Sequence, residues 1–235
     1  PDEEIPELDE STLKSTLTSA LNELKNLLDN YESGMIMTQG VNTVIAGRPN
    51  AGKSTLMNML SGKEKSIVTH IEGTTRDIVE NSVRLGTLVL HLSDTAGLRE
   101  SDDVVEAIGI KKALERIDTS SLVLAVFDSS RELDGDDKML IDACKGKKAV
   151  AVINKTDLSP AIDTEEIENN FESSVYISAK NNTGLKELEN AVKNILGVEE
   201  FDSSAPLIAN QRQKLCIQKA YENISEALSA AELGL

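Results

Sequence analysis

Eight consecutive residues, Gly47-Arg48-Pro49-Asn50-Ala51-Gly52-Lys53-Ser54, place two glycines, a lysine and a hydroxyl at the spacing GxxxxGK(S/T). They follow an apolar, strand-like run and precede a helix-forming one. Glycine lets the backbone curl so that its N–H groups point at a phosphate, at the positive end of a helix dipole. The stretch expected to touch that phosphate is Asn50, Ala51, Gly52, Lys53, Ser54 and Thr55. Lys53 reaches the β- and γ-phosphates of a nucleotide, and the Ser54 hydroxyl binds Mg²⁺. Downstream, Asp94-Thr95-Ala96-Gly97 closes another apolar run. Asp94 there is placed to hold the ion through water, and Gly97 lets its N–H approach the γ-phosphate closely.

The base is specified elsewhere. Asn154-Lys155-Thr156-Asp157 follows the run AVAVI and matches NKxD. A carboxylate at Asp157 accepts two hydrogen bonds from the N1–H and 2-amino group of guanine, a pairing that adenine does not offer. The Lys155 stem can lie along the base. Ser178-Ala179-Lys180, after the next strand, is placed to give a backbone N–H to the guanine oxygen. Taken in order, the phosphate loop, GTTRD, DTAG, NKTD and SAK point to GTP and GDP as the ligands.

Hydrolysis needs an oriented water. The position after DTAG, where many small GTPases carry a glutamine, is Leu98, which cannot hydrogen-bond. The polar side chains nearby are Arg99, Glu100, Asp102, Asp103 and Glu106. A hydroxyl from the GTTRD loop completes the Mg²⁺ shell; Thr75 is the choice and Thr74 the rival, and residue type does not separate them. Arg76 and Asp77 are expected to steady that loop. His70 and His91 read as structural, the first in a switch loop and the second in a strand flanked by leucines.

These loops have to be positioned by strands and helices. Apolar runs at 41–46, 81–85, 88–92, 122–127, 149–153 and 175–177 alternate with helical patterns at 53–60, 104–117, 136–144, 164–171 and 185–196. That alternation predicts an α/β fold of the P-loop NTPase type, a Ras-like G domain on a mostly parallel six-stranded sheet. The pair flanking Gly86 reads as an antiparallel hairpin. Outside this core, residues 11–33 form an amphipathic helix for which Gly34 is the expected stop, and a second such helix begins after Pro206. Either the two helices pack on each other, the G domain being inserted in a helical domain, or both cover its surface. The expected division is 1–38 and 200–235 for the helical segments and 39–199 for the G domain.

Composition narrows the setting. The 235 residues are 40% apolar and 27% charged, with a formal net charge of −16. Charge of that sign makes the chain by itself a poor binder of nucleic acid, since such binding draws on Lys and Arg at phosphates. No apolar run approaches the roughly 18 residues that span a bilayer, and PDEEIPELDE is unlike a secretory signal, so a cytoplasmic protein with no membrane partner is expected. Cys144 and Cys216 lie far apart, without metal-ligand spacing.

The segments VNTVIAGRPNAGKSTLMNML, IVTHIEGTTRD and DTAGLRE with VVEAIGIKKA resemble the phosphate and switch loops of the bacterial tRNA-modification GTPases of the MnmE (TrmE) family, and both flanking helices resemble parts of that family's helical domain. GRPNAGKS alone also suits ribosome-assembly GTPases such as Era and Der, which act as GTP-dependent binding switches. The resemblance to MnmE implies a catalytic set of Glu106, Lys53 and Asn50, with Glu106 acting on the attacking water through a bridging water. It also implies K⁺ held by the Asn50 side chain, the carbonyls of Thr69 and Ile71 and the Thr74 hydroxyl. It further implies a homodimer through the switches, the flavoprotein MnmG (GidA) as partner, and a role in adding the 5-carboxymethylaminomethyl group to the tRNA wobble uridine, with tRNA engaged indirectly. MnmE-like proteins begin with a folate-derivative-binding domain and end in a cysteine-bearing tail; this sequence carries neither and is expected to be a portion of a longer protein.

Overall fold

The computed structural model describes residues 9–62, 82–93, 116–199, 208 and 210–233. The chain splits into two compact units, Gln39–Glu200 and the pair Pro1–Thr38 with Phe201–Leu235. In the first, six strands form one sheet: β1 (Val41–Ala46), β2 (Ser82–Leu85), β3 (Leu88–Leu92), β4 (Leu122–Asp128), β5 (Ala149–Asn154) and β6 (Ser173–Tyr176). Their order is β2-β3-β1-β4-β5-β6, and every pairing is parallel except that of β2 with β3.

Burial explains this order. Every residue of β4 and β5 is buried, so these apolar runs need cover on both faces and take the centre of the sheet. In β2 and β3 buried and more open positions alternate, the pattern of a margin wetted on one side. Leu85 pairs with Leu88 across the hairpin, whose turn puts Gly86 at φ 61°, in the left-handed region that glycine enters freely.

On one face, α4 (Gly135–Cys144) sends Leu140, Ile141 and Cys144 onto Val44 and Ala46 of β1, Val123, Ala125 and Phe127 of β4, and Ala149, Ala151 and Ile153 of β5. The alanines in this layer keep the strand surface low enough for a helix to lie close. Phe127 meets Phe171 edge-on at 5.8 Å between centroids. That contact accounts for a departure from expectation. The helix foreseen over 164–171 is α5 (Thr164–Glu168), and the chain unwinds after it so that Phe171 turns into the core. The last strand also begins earlier than foreseen, at Ser173, and Ile177 leaves the ladder while its N–H still reaches the Ile153 carbonyl at 2.9 Å. Among the described residues, the other helices of this unit are α3 (Lys53–Ser61) and α6 (Leu185–Leu196). Of the helix foreseen over 104–117, only a helical turn at 116–119 is described; the rest lies outside the described residues.

In the second unit α1 (Glu10–Asp29) packs along α7 (Gln211–Glu232), and neither helix has a buried residue. The Lys214 ammonium lies 4.4 Å from the centroid of the Tyr31 ring, a cation–π contact. Gly34 does not stop the first helix. The break comes at Asn30, a weak helix former, and Gly34 sits buried inside α2 (Tyr31–Gln39) with its N–H on the Asn30 carbonyl at 2.9 Å. Gly34 does not take the left-handed conformation of a helix stop.

Because Phe127 is fully buried where α4, α5 and the sheet meet, Phe127→Ala is expected to cost about 3–5 kcal/mol in urea denaturation. A loss below about 1 kcal/mol would contradict this account of the core.

Candidate functional site

The loop 47–52 leaves the C-terminal end of β1, which lies between β3 and β4 at the point where strand order reverses, the place where open α/β sheets leave a crevice. Two glycines fit it there. A Cβ on Gly47 would stand 2.4 Å from the Val126 carbonyl of β4. One on Gly52 would stand 2.2 Å from Asn154 Nδ2, at a φ of 96°. Asn50 takes the left-handed conformation at φ 60°, which asparagine tolerates better than most residues, and its side chain is exposed on the loop's lip. Gly52 is the N-cap of α3, so the helix begins at Lys53 with its N-terminal end at the loop. Ser54 and Thr55 are exposed in the first turn, while Ala51 is buried. Lys53 Nζ donates to the Arg48 carbonyl at 2.8 Å, so the ammonium lies across the mouth of the loop.

Asn154, at the end of β5 and 2% exposed, joins this loop to the other motifs. Its Nδ2 donates to the Ala51 carbonyl at 3.0 Å, and its Oδ1 accepts from the Ala179 N–H at 3.0 Å. Three segments distant in sequence therefore meet on one side-chain amide. Beyond it, Ser178 Oγ donates to Asp157 Oδ1 at 2.6 Å, and that hydrogen bond holds the exposed Asp157 carboxyl below its ordinary value. The segment 178–183 is pinned by its own bonds, Thr183 N–H to the Ser178 carbonyl and Ser178 N–H to the Thr183 carbonyl. Lys180 is exposed beside it.

Lys155 stands at φ 66° and its Nζ reaches Asp128 Oδ2 at 2.6 Å. Burial pushes the Asp128 carboxyl up, but the hydrogen bonds from Lys155 and Ser130 outweigh it and leave it below the usual carboxylate range. Arg48, 8% exposed, bonds Asp134 Oδ2 at 2.7 Å and lies 3.4 Å from Asp137 Oδ2. Asp134 and Asp137 form the capping box that starts α4, so the phosphate loop is tied to that helix. Burial raises the Asp137 carboxyl; at Asp134 burial is outweighed by the Asp137 N–H and by Arg48.

Sequence reasoning did not single out Arg48, Asp128, Asp134 or Asp137. Asp128 carried the same signal that marked Asp94, a carboxylate ending an apolar run. The spacing Asp134-x-x-Asp137 before an apolar helix was a legible cap. His91 is where a structural histidine belongs, with Nδ1 2.7 Å from Ser82 Oγ and Nε2 2.6 Å from the Gln39 carbonyl. Thr69, His70, Ile71, Thr74, Thr75, Arg76 and Asp77 lie outside the described residues, as do Asp94, Gly97, Leu98, Arg99, Glu100, Asp102, Asp103 and Glu106. Among the described residues there is no cluster of three metal-ligating acidic, histidine or cysteine side chains, and no helix long and apolar enough to cross a membrane.

Residues 42–155 match the family described as 50S ribosome-binding GTPase. With the six-stranded sheet and the loop at its switch point, that match marks the central unit as a GTPase G domain of the P-loop class. Over nearly its whole length the chain is a homologue of the tRNA modification GTPases named MnmE. It is 37% identical to that of Clostridioides difficile, 36% to that of Finegoldia magna and 39% to that of Natranaerobius thermophilus, across 97–99% of this chain and 50–51% of those proteins. The chain spans about half the length of these relatives.

Ser178→Ala removes the bond that most depresses the Asp157 carboxyl. The expected outcome is a rise of that pKa toward the ordinary aspartate value, followed by NMR of the side-chain carboxyl carbon. An unchanged titration would mean that Ser178 does not set the charge of Asp157.

Proposed function

We propose that this chain binds GTP with Mg²⁺ and hydrolyses it with the help of K⁺, as the GTPase portion of a cytoplasmic protein that modifies the wobble uridine of tRNA. The observation that carries the reading is the Asn154 bridge, which brings the GxxxxGKS loop, NKTD and SAK together in a homologue of MnmE. In this reading the backbone N–H groups of residues 50–55 cradle the phosphates and Lys53 leaves the Arg48 carbonyl for the β- and γ-phosphates. Asp157 accepts from the guanine edge, the Lys155 stem lies along the base, and the Ala179 N–H or its neighbour Lys180 faces the guanine oxygen.

The residues present suit this ligand. Gly47 and Gly52, lacking a Cβ, let the loop close on the Val126 carbonyl and on Asn154, and the Asp157 carboxyl is held in its charged, accepting form. Exposed Ser54 and Asn50 suit Mg²⁺ and K⁺ respectively, and the other ligands of the reading are Thr75 and Asp94 for Mg²⁺ and Thr69, Ile71 and Thr74 for K⁺. The two ions supply positive charge where negative charge builds between the β- and γ-phosphates. Glu106 orients the attacking water, the task that Leu98 cannot perform. The two units are read as a G domain and the flanking segments of a helical domain. MnmG is the expected partner, tRNA is engaged through it or through another domain, and the G domains pair through their switches. A second reading takes the description of the matched family at its word: a binding switch in ribosome assembly, of the Era or Der type.

Steady-state GTP hydrolysis in matched KCl and NaCl tests the first reading. The rate is expected to be strongly raised by K⁺ and, in Glu106→Ala, lost by about a hundredfold or more with GTP binding intact. Equal rates in both salts, or an unaffected variant, would favour the binding switch. Sedimentation of the GDP–aluminium fluoride complex in K⁺ is expected to show a dimer that dissociates in Na⁺, and a monomer in both salts would remove the paired-switch step.

A further inference from the structure

Asp128 lies in the ladder opposite Asn154, the residue before Lys155, and its side chain is 2% exposed. Both carboxylate oxygens are engaged. Oδ2 takes the Lys155 ammonium at 2.6 Å; Oδ1 takes the Ser130 N–H at 3.0 Å and the Ser130 hydroxyl at 2.7 Å. The backbones are joined as well, Ser129 N–H donating to the Asn154 carbonyl at 2.9 Å. Lysine is a flexible four-carbon stem ending in a hydrated point charge, and a free one samples many rotamers. Here the far end is gripped by a carboxylate that has no freedom of its own, and the near end is fixed by a left-handed backbone at φ 66°. What lies between the two anchors is an apolar stem in one shape.

We propose that Asp128 is a positioning residue for guanine recognition: by gripping the Lys155 ammonium it holds the lysine stem as a preformed wall for the face of the base. This rests on the reading of Asp157 and Lys155 as the guanine site. Asp128 itself touches no nucleotide. Its contribution is to order Lys155 before the ligand arrives, so that binding does not have to. A wall against the face of the base is indifferent to the substituents on the base edge, whereas Asp157 is not.

The test is a set of affinities for GDP and for IDP, which lacks the 2-amino group, measured on the whole chain and on Asp128→Asn, Lys155→Met and the double variant, with a thermal melt of each. Asp128→Asn is expected to weaken GDP and IDP by the same factor, about tenfold, and the double variant to bind no worse than Lys155→Met alone. Multiplied losses in the double variant, a loss confined to GDP, or native affinity in Asp128→Asn would each overturn the proposal. Should Asp128→Asn not melt as a folded protein, Ser130→Ala takes its place. It removes one donor from Oδ1 and keeps both charges, and a smaller loss shared by GDP and IDP is expected; native affinity would overturn the proposal. If the unaltered chain binds neither nucleotide, the guanine reading itself fails, an outcome distinct from native binding with an indifferent Asp128→Asn.

Discussion

The site depends on one buried amide. Asn154 offers a donor and an acceptor on opposite sides of a rigid plane, and the chain spends one on the Ala51 carbonyl and the other on the Ala179 N–H. In the low dielectric of a site that is 2% exposed, each bond is strong and its absence would leave a backbone group without solvent or partner. The spacing between the phosphate loop and the 178–180 segment is thereby fixed by the width of a carboxamide. Gly52 is part of the same constraint, since any side chain there would occupy the place of Asn154 Nδ2.

Charge is arranged around that amide so that the loops are tied to the strands and helices beside them. A chain with a formal net charge of −16 has more carboxylates than it can pair, yet buried Asp128 and Asp137 near the site each lie against a cation, Asp137 keeping one oxygen, Oδ1, without a hydrogen-bond partner. Asp128 holds Lys155, and Asp134 with Asp137 holds Arg48. Two cations from the nucleotide motifs are thus fixed by acids that belong to β4 and α4, elements outside those motifs. Lys53 is held differently. It rests on a backbone carbonyl, a partner that a phosphate can outcompete.

Much of this was legible in the sequence because the G-domain elements are long, apolar and sharply bounded. β1, β3 and α6 begin and end where periodicity places them, and the hairpin at Gly86 follows from a glycine between two alternating runs. The boundaries that moved did so where context overruled local pattern: Phe171 was drawn into the core beside Phe127, and Gly34 lies buried inside a second helix that begins after the break at Asn30. The motif loops were legible because phosphate and guanine demand specific groups at specific spacings. The pairing of Arg48 with Asp134 and Asp137, and of Lys155 with Asp128, was not, since these partners stand many residues apart and only folding brings them together.

The pairing of α1 with α7 has a consequence for the order in which the molecule assembles. These helices stand on either side of the central unit in sequence and their apolar positions are only partly buried, so their contact closes a long loop for a modest gain in buried area. In an unfolded polypeptide that closure would not be repaid. Once the sheet of the central unit has formed, the residues that intervene are already collapsed and the entropic cost of the encounter falls steeply. A contact with so long a loop is expected to form late in folding and to open early in unfolding.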